Sequence, residues 1–79
     1  MVIEMDPKEI GKKLTELRGE RSQDEVAKDI GISTSAISMY ERGERIPRDS
    51  IKIRFSMYYK KSIQEIFYPE TTRNVSEGG

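Results

Sequence analysis

Residues 23–42, QDEVAKDIGISTSAISMYER, carry small and apolar side chains where two short helices crossing at a tight turn require them. Ala27 has almost no side chain at the expected crossing, and Gly31 can take the positive φ that ends the first of the two helices. Val26 and Ile30 stand four residues apart and Ile37 and Tyr40 three apart, so each pair falls on one inward face. Thr34, Ser35, Ser38 and Met39 are left on the outer face of the second helix. The stretch reads as a helix-turn-helix, and that outer face is the one expected to meet DNA.

Capping residues extend the reading to both sides. Asp6-Pro7-Lys8-Glu9 offers an N-cap, a proline at the first helical position and a glutamate three after the cap, which predicts a helix from Pro7 to Arg18 or Gly19. Ser22 to Glu25 repeats the device for a helix ending near Ile30, and Ser33 caps one from Thr34 to Glu41 or Arg42 that Gly43 stops. Pro47 is expected to start a fourth helix, with Ile51, Phe55 and Tyr58 or Tyr59 on its apolar side. A further capping box at Ser62 and Glu65 opens a short helix that ends before Pro69. The expected fold class is all-α, with five helices and no sheet.

The net charge of zero conceals a segregated distribution. Between Arg42 and Lys61 there are seven basic residues against Glu44 and Asp49, a local balance of +5; the rest of the chain carries −5. Phosphate neutralisation depends on nearby charge, not on the global average, so this run fits a DNA-facing surface; without the preceding helix-turn-helix it would read as a solvated helix face.

Four blocks together resemble the XRE family of transcriptional regulators, the group containing the phage Cro proteins and repressors. They are the LxxLR pattern at Leu14, Leu17 and Arg18, the helix-opening Gln23, the ExGxRxP pattern at Glu41, Gly43, Arg45 and Pro47, and the closing Ser62, Ile63, Glu65 and Ile66. The resemblance covers roughly residues 10–67. It implies a compact five-helix, lambda-repressor-like DNA-binding domain over residues 6–68, followed by a flexible tail at 69–79, where one residue in eleven is aliphatic. A partner-binding role for that tail is the alternative. In one respect the chain departs from the family: only Gly19-Glu20-Arg21-Ser22 separate Arg18 from Gln23, about two fewer than in most members, so the first turn must be tighter.

The resemblance also implies roles. Thr34, Ser35, Ser38 and Met39 occupy positions that read base edges in the major groove of double-stranded DNA. Their hydroxyls can donate or accept toward any base, and Met39 either touches a thymine methyl or packs on the protein surface. None of the four can make a bidentate base contact, so DNA shape, water and flanking arginines are expected to share the readout. Gln23 and Ser33, each at a helix start, and Arg42, Arg45 and Arg48 are expected on phosphates, with a base edge as the alternative for Arg42. Arg18 and Glu41 match a structural ion pair joining the first helix to the end of the recognition helix. Operator binding as a two-fold homodimer is implied as well. Met57, Tyr59, Phe67 and Tyr68 are the candidate interface residues, although several of them must also close the core.

With no cysteine and no histidine, disulfides, Cys/His zinc sites and thiol or imidazole catalysis are ruled out. Neither a cofactor nor a metal nor an enzymatic activity is expected. Apolar runs fall short of the roughly 20 residues that span a bilayer, and the acidic amino terminus lacks the features of a signal peptide, so no membrane contact is expected and the location is read as cytoplasmic. The leading functional reading is a repressor-type transcriptional regulator. The alternative is an antitoxin or other partner-binding protein of the same fold, with DNA binding secondary and any protein antagonist unidentified.

Overall fold

A computed structural model describes residues 6–68. It comprises five helices: α1 (Pro7–Arg18), α2 (Gln23–Ile30), α3 (Thr34–Glu41), α4 (Asp49–Tyr59) and α5 (Ile63–Phe67). No strand occurs among the described residues. The expected tail at 69–79 lies outside them.

Local chemistry accounts for most of the boundaries. The Asp6 side chain accepts from the Lys8 amide, Ser22 from Glu25 and Ser33 from Ala36, so each of the first three helices opens on a side-chain cap. Ser62 and Glu65 satisfy each other's amides at 3.0 Å, completing the capping box of α5; the backbone N–H of Ser62 holds the Glu65 carboxyl below the usual carboxylate range. Gly31 ends α2 at φ 90°, where its N–H reaches the Ala27 carbonyl at 2.8 Å. Helix α4 starts two residues later than its proline signalled. Arg48 is its N-cap, without a side-chain cap, and Pro47 is buried just ahead of it as a packing residue.

The core is built from all five helices. Ile10, Leu14, Val26, Ala27, Ile37, Phe55, Ile66 and Phe67 are each at most 2% exposed. Phe55 organises the aromatic part: Tyr40 meets it edge-on, Tyr59 stacks on it at 6.1 Å, and Phe67 is tilted against it. Tyr40, expected inside, is half-buried.

Four residues are less exposed than their expected roles suggested. Phe67 has no exposed surface, so it closes the core and cannot also meet a partner subunit. Tyr59 and Tyr68 are half-buried, Tyr59 against Phe55 and Tyr68 accepting from Lys52 Nζ at 3.0 Å. Of the four candidate interface residues Met57, at 74%, is the most exposed. Lys52 itself, counted with the basic surface, is 4% exposed and lies over the Phe67 and Tyr68 rings.

One close approach had no signal in the sequence pattern. Gly11, mid-way along α1, lies against the end of α3, and a Cβ there would stand 2.3 Å from the Glu41 carbonyl oxygen and 2.9 Å from that of Tyr40. A glycine inside a helix ordinarily reads as a small penalty; here it lets α1 press onto the end of α3.

Candidate nucleic-acid interface

Helix α3 is held from behind by Glu41. The Arg18 guanidinium forks onto that carboxylate, Nε donating to Oε2 at 2.8 Å and Nη2 to Oε1 at 3.1 Å, with the two side chains 19% and 6% exposed. Gln23 Nε2 donates to the same Oε1 at 2.9 Å. The hydrogen bond to Glu41 raises the Arg18 pKa against the opposing effect of burial. Arg18 Nη1 also donates to the Arg21 carbonyl at 2.6 Å, and the Arg21 guanidinium lies over the Tyr58 and Tyr59 rings. These contacts hold the turn between α1 and α2 in place and set Gln23 at the start of α2.

The outward side of α3 carries the candidate base readers. Thr34 and Ser35 are exposed at its amino end, while Ser38 and Met39 are half-buried one turn on. Two of the hydroxyls have partners. Thr34 Oγ1 donates to Asp24 Oδ1 at 2.6 Å, and Ser38 Oγ accepts from Arg42 Nη1. Arg42 in turn forks onto Glu44, with Nε to Oε2 at 2.9 Å and Nη2 to Oε1 at 3.1 Å. That pair raises the arginine pKa and lowers that of the glutamate, and both side chains are more than half exposed.

Around this face, Ser33 spends its oxygen on the Ala36 amide and keeps its proton for an acceptor. Arg45 and Arg48 are exposed and line an open groove of about 440 Å³ together with Tyr40, Ile46, Ser50 and Ile51. Neither arginine makes a side-chain hydrogen bond or ion pair among the described residues. Arg54 donates to the Ile30 carbonyl at 3.3 Å, closing the end of α2. The basic run is therefore divided: Arg42 is balanced by Glu44, Lys52 is buried, Arg54 serves α2, and Arg45 and Arg48 remain beside the recognition helix. The Asp24–Thr34 and Gln23–Glu41 contacts were not anticipated, because a polar pair between separate helices leaves no periodic signal, and neither was the Arg42–Glu44 pair in the turn after α3, which depends on side-chain direction.

A helix-turn-helix family model matches residues 12–66, which spans all of α2, α3 and α4. The chain belongs to this helix-turn-helix family. It has the XRE-type organisation expected from its four sequence blocks, and it is a DNA-binding transcriptional regulator by class. A similar solved structure is the solution structure of the SOS-response transcriptional repressor LexA from Eubacterium rectale, at TM-score 0.73 and 24% identity, covering 84% of this chain and 72% of that one. That likeness supports the fold, and together with the family match and the five observed helices it fits a lambda-repressor-like all-α architecture. No curated protein gives a significant match. Among the described residues no helix is long and apolar enough to cross a membrane, and no group of acidic, cysteine or histidine side chains could hold a metal ion.

Proposed function

We propose that this helix-turn-helix protein is a repressor that binds a palindromic operator in double-stranded DNA as a homodimer, with α3 in the major groove. The observation that carries the reading is the open amino end of α3, where exposed Thr34 and Ser35 are neighboured by the cap Ser33 and the fold leaves Arg45 and Arg48 exposed. Thr34, Ser35, Ser38 and Met39 take the base edges. Gln23, Ser33, Arg45 and Arg48 take phosphates, joined by Arg42 when it exchanges Glu44 for the backbone. The action is binding alone, without a cofactor and without catalysis, in the cytoplasm.

The dimer face follows from what the core leaves over. On α4, Ile53 is 48% and Met57 74% exposed, four residues apart on one side of the helix. Asp29 and Arg54 lie beside Met57, giving both charge signs to a self-complementary contact. The same apolar strip is the observation that favours the second reading, an antitoxin-like protein whose main partner is another protein.

Binding to a random oligonucleotide pool at several salt concentrations, with sequencing of the retained fraction, separates the two. Two to three phosphate-bound arginines per subunit give about four to six per dimer, hence a log–log salt slope of about −4 to −5 and an enriched inverted repeat. Weak binding without an enriched sequence would refute the operator reading and leave the partner-binding one.

A further inference from the structure

We infer that Asp24 is a positioning residue that fixes the polarity of Thr34, making the start of the recognition helix selective for a base that presents an amino group in the major groove. The inference rests on the operator-binding reading above and assigns its chemistry at one position.

A threonine hydroxyl is by itself indiscriminate, since it can donate its proton or accept at a lone pair. Thr34 is not in that condition. Its Oγ1 stands 2.6 Å from Asp24 Oδ1, and a carboxylate offers only acceptors, so the proton must point to Asp24. A hydrogen bond to a charged partner is about twice as strong as a neutral one, so a base does not readily take that proton away. What Thr34 then presents outward is lone pairs and a methyl group. In the major groove, lone pairs match the amino groups of adenine N6 and cytosine N4 and oppose the carbonyl oxygens of guanine O6 and thymine O4.

The placement suits this role. Asp24 is the second residue of α2 and Thr34 the first of α3, so the bond joins the amino ends of the two helices, and both side chains are exposed. Asp24 caps neither helix; Ser22 and Ser33 do that. A carboxylate at this edge lowers the general affinity for a polyanion, and the gain it brings is discrimination. Ser38 provides the contrast within the same helix: its oxygen accepts from Arg42, a group that can only donate, so its own proton stays available for a base acceptor.

The test is selection from the random pool with the wild-type chain and the variants Thr34→Val, Asp24→Ala and Glu25→Gln, after thermal unfolding has shown each to be folded. Glu25 is the neighbouring exposed carboxylate of the first turn of α2, and its replacement removes the same unit of charge without touching Thr34. The base facing residue 34 is the one whose preference Thr34→Val alters. There the wild type is expected to prefer adenine or cytosine by about five-fold, the low end of what one base contact contributes. Asp24→Ala should reduce that preference to less than about two-fold, and Glu25→Gln should raise overall affinity while leaving it intact. The inference is overturned if guanine or thymine is preferred at that base, if Asp24→Ala keeps the preference, if Glu25→Gln abolishes it, or if Thr34→Val changes no position. If no sequence is enriched by the wild type, the operator reading itself fails, which is a separate and recognisable result.

Discussion

Replacing Gly11 by alanine sets two effects of opposite sign against each other. Alanine in a helix interior is favoured over glycine by about 0.5–1 kcal/mol, so propensity alone predicts a more stable protein. The added methyl, however, would lie 2.3 Å from the Glu41 carbonyl oxygen and 2.8 Å from its carbon. Carbon–oxygen contacts normally settle at about 3.3–3.6 Å, so α1 and the end of α3 must separate by about 1 Å. Both neighbouring atoms are backbone, and no rotamer change relieves the clash. Overpacking of this kind costs about 1–3 kcal/mol, and spreading the helices also loosens contacts around Ile10 and Leu14, so the net loss should be about 1–2 kcal/mol. For a domain of this size that lowers Tm by about 4–16 °C, readable by circular dichroism. A Gly11→Ala variant with an unchanged or higher Tm would refute the close approach.

Arg18→Met leaves Glu41, 6% exposed, with only the Gln23 amide, and should cost about 2–3 kcal/mol together with a fall in operator affinity; equilibrium urea unfolding measures the first and titration with the selected operator the second. Met57→Glu should give a folded protein with a monomer mass in sedimentation equilibrium, whereas Phe67→Glu puts a carboxylate into a site with no exposed surface and should abolish cooperative unfolding altogether. The Tyr59 hydroxyl is buried without a hydrogen-bond partner among the described residues, and burial pushes its pKa up to about 12. Its neutral form is the one the fold favours, so this contribution to stability is complete below about pH 10 and is lost as pH rises toward 12. Absorbance titration should show a late tyrosinate step missing from Tyr59→Phe, and that variant should be at least as stable as the wild type at neutral pH.

How much of this could be read beforehand depended on whether a feature is local. Caps and glycine stops act within a few residues, and Asp6, Ser22, Ser33, Gly31 and Ser62 mark helix ends as their chemistry requires. Pro47 misled by two residues because burial of its ring outweighed its usual place at a helix start. Gly11 carries no outward sign of its role, since the atoms it makes room for lie thirty residues along the chain. The same holds for the polar side of the site. Arg18 and Glu41 were paired through a family pattern, while Asp24 with Thr34 and Arg42 with Glu44 depend on side-chain directions that spacing does not encode. Phe67 was misassigned because an apolar residue near a terminus reads the same whether it faces a core or a partner.

The convergence of three donor groups from Arg18 and Gln23 on the Glu41 carboxylate has a calorimetric consequence. The reading helix is anchored to α1 and α2 before any DNA arrives, so association need not fund the ordering of a segment. Operator binding should then show only the modest negative heat-capacity change of burying one rigid interface, without the large value that accompanies folding on the duplex. The side chains on the outward face of α3 can thus be exchanged for others while their supporting frame stays as it is.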